Sequence, residues 1–322
     1  MPDPKIVVTR KWPESVEAEL RRRFPDVQLN VDDVALGEQG LRAALAEADV
    51  VLPTVSDRLP AELFEGEPRT RFLGNFGVGY NHIDTDAAVK AGIVVTNTPR
   101  VLTDTTADTA MTLLLMAARR AGEGERELRA GKWTGWRPTH MMGADVTGKT
   151  LGILGMGRIG VAVARRAHFG FGMPVVFYDP VDFEPEHGIA DVRRFDTVEE
   201  VLEVADFVSL HMPGGPENYH LIDEARLARM KPSAFLVNSA RGDVIDPEAL
   251  ANALRSGTIA GAGLDVYEGE PDIPAGLAEL ENAVLLPHLG SATLETRTAM
   301  GMLVLENLQD FLEGREPSCR VA

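Results

Sequence analysis

Short runs of valine, isoleucine and leucine alternate along this chain with stretches whose apolar positions recur every three to four residues. In the first third the short runs fall at 6–9, 27–31, 50–53, 72–75 and 93–96, each bounded by Gly, Pro or Asp. Further on they fall at 150–154, 175–178, 207–211, 235–238, 263–266 and 283–286. Continuous apolar runs of that length predict strands buried on both faces. The stretches between them, such as 15–23 and 40–47, carry a helical period. Strand and helix in alternation predict βαβ units, and therefore parallel sheets covered by helices. "ADVVLP" at 48–53 and "ADFVSLHMP" at 205–213 have the same build, a strand entering a proline loop. At 322 residues the chain exceeds the roughly 250–300 that one core supports. We therefore expect two doubly wound α/β domains with a cleft between them. A strong helix is predicted over 105–120, followed by a polar, glycine-containing excursion, "AGEGERELRAGKWTGWRP". A final helix over 294–313 should end at Gly314. The predicted division is 1–99 plus 290–322, and 100–289.

Composition narrows the function. The formal net charge of −17 disfavours nucleic acid and anionic membranes as partners. No apolar run reaches the length of a membrane span, and the start, "MPDPKIVVTRKW", has no apolar signal-peptide core. A cytoplasmic location is the expectation. The single cysteine, Cys319, excludes an internal disulfide and cysteine-based metal motifs, and reads as an incidental terminal residue. No metal site is expected.

The segment Gly155-Met156-Gly157-Arg158-Ile159-Gly160 has the spacing G-x-G-x-x-G. The spacing alone is weak, but its setting is specific: it follows the strand "KTLGIL", opens a helix, and a second strand ends at Asp179. Gly155 permits a tight turn, Gly157 lets a pyrophosphate approach the backbone, and Gly160 lets helix and strand pack closely. Helix N–H groups then face the phosphates. Asp179 would accept hydrogen bonds from the adenosine ribose. A 2′-phosphate would meet its carboxylate and, in the acidic "YDPVDFE", no adjacent arginine. NAD(H) is expected over NADP(H).

Three further side chains follow predicted strand ends: Arg241 in "LVNSARGDVID", Glu270 in "LDVYEGEP" and His288 in "VLLPHLGSAT". Ligands of open α/β sheets bind outside those ends. An arginine fork suits a carboxylate, and an acid beside an imidazole suits proton transfer.

With "NFGVGYNHID", "LTDTTADTAMTLLLMAARR", "GKTLGILGMGRIG" and "HMPGGPENYHLI", these pieces run in one order over nearly the whole chain. In this the chain resembles the D-isomer-specific 2-hydroxyacid dehydrogenases, and among them most resembles glyoxylate/hydroxypyruvate reductases. The resemblance implies a flavodoxin-like substrate domain and an NAD-binding Rossmann domain. It implies that Arg241 holds the 2-oxo-acid carboxylate, that His288 is the proton donor in reduction, and that Glu270 orients the imidazole. It places the backbone N–H groups of Val78 and Gly79 on the substrate carboxylate and Asp265 on the nicotinamide carboxamide. Thr106, His211, Pro213, Ala240 and Gly290 would line the cofactor. Where many relatives carry a threonine after the His-x-Pro run, this chain has Gly214-Gly215-Pro216-Glu217-Asn218, and Asn218 is the candidate replacement donor. Specificity would depend on Val55, Ser56, Asp57 and Leu102. A homodimer is implied, with 123–140 as its contact and Trp133 or Trp136 reaching the partner's substrate. The alternatives are a D-lactate-type enzyme, one for larger 2-oxo acids, or an NADH-sensing corepressor-like binding protein.

Overall fold

The computed structural model describes residues 4–182 and 186–322. The chain divides into two compact units, Met1–Leu102 with Ala292–Ala322, and Thr103–Ser291.

In the first unit five parallel strands, β1 (Ile6–Val8), β2 (Val27–Gln28), β3 (Val50–Leu52), β4 (Phe72–Gly74) and β5 (Val94–Thr96), lie in the order β2-β1-β3-β4-β5. This is the flavodoxin-like order. Alternate residues supply two separate cores, as a period of two requires. Ile6, Val8, Val50, Leu52 and Phe72 pack with Val304, Leu305 and Leu308 on one face. Val7, Val51, Leu73 and Val95 pack with Leu41, Leu45 and Leu63 on the other. The chain thus returns to this unit to lay its last helix, Leu294–Leu312, on the sheet. That helix comes so close that a Cβ on Gly74 would lie 2.6 Å from Val304 Cγ1. The terminal segment is tied down as well. Val321 N–H donates to the Val95 carbonyl, and Cys319, only 8% exposed, donates its N–H to Asn307 Oδ1. The expected incidental terminal cysteine is therefore a packed one.

The second unit has seven parallel strands: β6 (Leu151–Leu154), β7 (Val175–Tyr178), β8 (Arg193–Arg194), β9 (Phe207–Leu210), β10 (Phe235–Asn238), β11 (Gly261–Leu264) and β12 (Ala283–Leu285). Their order, β12-β11-β10-β9-β6-β7-β8, is the dinucleotide-binding order extended by one strand. The direction of winding reverses between β6 and β9, which is where such sheets bind ligands. β11 begins two residues earlier than the apolar run suggests. Its Gly263 admits the helix Thr103–Ala118, since a Cβ there would stand 2.9 Å from Leu113 Cβ.

Two elements were not expected. β8 is a pair of exposed arginines with no apolar signal. The helix Ala121–Arg129 forms inside the polar excursion despite two glycines, braced by ion pairs Arg120–Glu123 and Arg129–Glu125. The preceding helix stops at Ala118, so its two arginines fall outside it, and Arg120 takes a left-handed φ of 53°. Among the described residues no helix is long and apolar enough to cross a membrane, and no cluster of three His, Cys, Asp or Glu side chains could hold a metal ion.

Candidate functional site

The glycine turn leaves β6 and enters the helix Arg158–Phe171. Gly155 has φ of 91°, and a Cβ there would lie 2.8 Å from the His211 carbonyl. A Cβ on Gly160 would lie 2.3 Å from the Gly155 oxygen, so helix and turn meet backbone to backbone. A Cβ on Gly157 would meet nothing within 4 Å. Gly157 and Arg158 are exposed, while Ile159 is half-buried. Two glycines are thus required by packing and the third faces open space, which fits a turn shaped for a pyrophosphate.

Asp179 ends the second strand of this unit and is 8% exposed. Its Oδ2 accepts the Met156 N–H at 2.8 Å and its Oδ1 the Val181 N–H at 2.9 Å, so the carboxylate is fixed against the glycine turn. The expectation that no arginine adjoins it needs correction. β8 brings in Arg194, which donates to the carbonyls of Asp179 and Val181 at 3.1 and 3.2 Å and pairs with Asp182. The arginine is distant in sequence and adjacent only through the sheet.

Arg241, Glu270 and His288 lie on the loops after β10, β11 and β12, and the structure joins the last two directly. Glu270 Oε2 and His288 Nδ1 are 2.8 Å apart, with side chains 36% and 34% exposed. Glu270 Oε1 accepts the Tyr267 N–H at 2.9 Å, and the Glu270–Pro271 bond is cis. Burial acts to raise the Glu270 pKa, but the hydrogen bond and charge of His288, the Tyr267 N–H and the Arg241 charge outweigh it. The carboxyl therefore sits below its usual range. Burial pulls Arg241 below the usual guanidinium value, opposed by the charges of Asp243 and Glu270. Its Nη1 donates to the Ala240 carbonyl at 2.6 Å.

His288 has φ of 54°, a left-handed conformation costing a residue with a Cβ about 1–2 kcal/mol. Asp265 holds it there. This fully buried carboxylate accepts the Leu289 and Gly290 N–H groups, both at 2.7 Å, and its carbonyl accepts the His288 N–H at 2.9 Å. Burial raises the Asp265 pKa, and the two N–H groups and His288 oppose the rise. Thr106, also buried, donates to the Gly290 carbonyl at 3.0 Å. Asp265, Thr106 and Gly290 thus form one brace under the imidazole.

Other expected cofactor residues are placed more variously. His211 follows β9 and its Nε2 lies 2.8 Å from Ser209 Oγ; burial lowers its pKa to about 3, so the ring is neutral. Pro213 is exposed and Ala240 half-buried. Asn218 turns an amide N–H back to the Pro213 carbonyl at 3.0 Å, closing its own loop. In the other unit, the Asn75 and Asn97 side chains donate to the carbonyls of Gly77, Val78 and Gly79. Neither the Val78 nor the Gly79 N–H has an acceptor among the described residues. In the loop 55–57, Asp57 is turned inward. It is buried and accepts from Thr9 Oγ1 and the Thr54 N–H at 2.5 and 2.8 Å. Leu102 is 8% exposed.

Sequence reasoning missed Asn238 and Gly242. Asn238 accepts the Ala240 N–H and donates to the Arg241 carbonyl at 2.8 Å, shaping the arginine loop from within. Gly242 touches the loop that carries Glu270: a Cβ there would fall 1.9 Å from the Tyr267 carbonyl carbon. Backbone on that side cannot yield cheaply. We expect Gly242→Ala to cost about 3 kcal/mol or more, lowering the thermal midpoint by roughly 6–12 °C. Differential scanning calorimetry checks this; an unchanged midpoint would contradict the close approach.

Residues 111–290 match the family model for the NAD binding domain of D-isomer specific 2-hydroxyacid dehydrogenases. The chain is 47% identical over 319 residues to a glyoxylate reductase of Korarchaeum cryptofilum, covering 98% of this chain and 94% of the relative. Its structure resembles that of the TT0316 protein from Thermus thermophilus, with a TM-score of 0.89, 42% identity and coverage of 98% and 99%. It also resembles an NADPH-dependent glyoxylate/hydroxypyruvate reductase from Sinorhizobium meliloti in complex with NADP and malonate, with a TM-score of 0.85, 34% identity and coverage of 99% and 97%.

Proposed function

Because the chain belongs to the D-isomer specific 2-hydroxyacid dehydrogenase family and carries its NAD-binding domain, we propose that it reduces small 2-oxo acids, glyoxylate and hydroxypyruvate, preferring NADH. The observation that carries this reading is the Glu270–His288 pair at 2.8 Å beside Arg241, on the sheet that also bears the glycine turn. A nicotinamide cofactor held at the glycine turn and Asp179 would supply hydride chemistry.

The chain's own residues do the rest. The Arg241 guanidinium takes the substrate carboxylate as a planar fork and stabilises charge growing on the carbonyl oxygen. With Nδ1 held by Glu270, His288 has Nε2 free to give that oxygen a proton, yielding the 2-hydroxy acid. Glu270 fixes the ring through its contact with Nδ1. The Val78 and Gly79 N–H groups are proposed, on the sequence resemblance, as further donors to the carboxylate. Pro213, Asn218 and Ala240 remain proposed cofactor contacts on the same ground, as do His211, Asp265, Thr106 and Gly290. Trp133 and Trp136, 50% and 82% exposed on the arm, support a homodimer built on that segment.

The NADH preference rests on Asp179. Its fixed carboxylate would face a 2′-phosphate, and juxtaposed like charges cost several kcal/mol. Arg194 is beside it but already occupied by Asp182 and two carbonyls. Initial rates with glyoxylate and hydroxypyruvate should favour NADH over NADPH by at least about 100-fold in kcat/KM. Asp179→Ser should cut that ratio to below about 10. Equal use of both cofactors by the native chain would overturn the preference, and no turnover of either acid would overturn the activity.

A further inference from the structure

A second acid–imidazole pair stands beside the catalytic one. Glu268 lies two residues before Glu270 on the loop after β11, and its carboxylate turns the other way. Its Oε2 lies 2.8 Å from His220 Nε2, and its Oε1 accepts the Tyr219 hydroxyl at 3.0 Å. The Tyr219 and His220 rings stack on each other, with centroids 3.9 Å apart and planes at 14°. Both belong to the loop after β9, the one that begins at His211 and Pro213.

That segment is itself attached to the arginine loop. The His220 N–H donates to the Asp243 carbonyl at 2.8 Å, the Ile222 N–H to Val244 at 2.9 Å, and the Asp246 N–H to Ile222 at 3.0 Å. The Gly215 N–H donates to Asp243 Oδ2 at 2.9 Å. Gly242 closes the ring by lying against the backbone of Tyr267 and Glu268. Three loops that each carry proposed site residues are thus sewn together. Among the described residues, the Glu268 carboxylate alone links the loop after β9 to the Glu270 loop by side-chain hydrogen bonds.

We propose that Glu268, gripped by His220 and Tyr219, is a positioning residue that sets the Glu270 loop and so aligns Glu270 on His288. The inference rests on the reading of Glu270 and His288 given above. Its physical basis is geometric. The Glu268 side chain is 32% exposed and that of His220 27% exposed, so the contact is one hydrogen bond between partly exposed groups and adds little to stability. Yet the Glu270 carboxylate meets His288 at a distance that a shift of one ångström would break, and such shifts cost rate far more than they cost folding.

The charged groups around His220 allow a test by sign. Its Nε2 faces Glu268, its Nδ1 lies 4.0 Å from Asp246 Oδ2, and Asp243 lies on the adjoining loop. Acting only through space, loss of His220 removes no negative charge and so cannot disfavour the protonated form of His288. Acting through position, it would loosen Glu270 and disfavour that form. The experiment compares the full chain with His220→Ala and His220→Gln, the latter keeping a donor to Glu268. Histidine C–H signals in NMR, assigned with His288→Gln, follow the His288 titration without cofactor or turnover. We expect His288 to lose its proton at lower pH in His220→Ala and to return towards the native curve in His220→Gln. In NADH-linked glyoxylate reduction, kcat should fall about tenfold in His220→Ala with KM within about twofold, and the thermal midpoint should hardly move. A His288 titration that is unchanged or moved upward would overturn the positioning role. Absence of turnover in the native chain would refute the proposed activity instead, and the NMR titration would still decide this inference.

Discussion

Replacing His288 by glutamine is expected to lower kcat for NADH-dependent glyoxylate reduction by about 10³-fold, within the range that general acid catalysis supplies. Glutamine keeps a polar group against Glu270 but cannot release a proton to the carbonyl oxygen. NADH affinity, followed by quenching of protein fluorescence, should stay within about twofold, since Asp265 holds the loop through the Leu289 and Gly290 N–H groups whatever the side chain at 288. The pH dependence has a definite sign. Reduction needs the imidazolium, so the native rate should fall as pH rises through the imidazole titration. It also needs the Glu270 carboxylate, whose pKa lies below its usual range, so the acid limb should lie below the ordinary carboxylate region. Glu270→Gln should move the alkaline limb to lower pH, because the imidazolium loses its negative neighbour. Stopped-flow rates from about pH 3 to 9 separate these outcomes. A glutamine variant with native kcat would remove His288 from the reaction.

Arg241→Met is expected to lower kcat/KM by about 10³-fold or more. Two losses combine. The substrate carboxylate loses its bidentate partner, and Glu270 loses a cation that helps hold its carboxyl ionised. Asp243 is then left without the same charge, and its Oδ1 is already buried with no hydrogen-bond partner. Arg241→Lys should recover only part of the loss, because an ammonium cannot reproduce the planar fork. Steady-state kinetics over a range of glyoxylate concentrations read the effect as a raised KM together with a reduced kcat. A change confined to KM would mean that Arg241 binds substrate without acting on the carbonyl.

Most strands were legible because a strand covered on both faces must be apolar throughout. Val175–Tyr178 and Phe235–Asn238 lie at the expected bounds for that reason. β8 was not legible, since two exposed arginines that complete a sheet edge carry no apolar signal. The helix Ala121–Arg129 was hidden by its glycines; its i,i+3 and i,i+4 ion pairs are local, but its tie from Arg126 to Glu281 is not. The glycine motif was readable because Gly160 is demanded by the Gly155 backbone inside one βαβ unit, local in sequence, although Gly155 itself packs on His211 of a distant loop. Glu270 and His288 were readable as residue types after strand ends, and as a pair only through the family resemblance, not from spacing. The role of Asp265 shows the limit most clearly. Its two oxygens hold the backbone of the imidazole loop, a task that depends on β11 and β12 lying side by side.

The sequence by itself determined the two α/β units, the dinucleotide turn and the identity of the candidate chemical groups, because periodicity and the approach of Gly160 to Gly155 are properties of neighbouring residues. Tertiary structure alone decided that Arg194 adjoins Asp179, that Asp265 and Thr106 brace His288, and that Glu268 joins two loops. Each of those contacts is made across strands or between loops far apart in the chain, where distance along the sequence carries no information about distance in space.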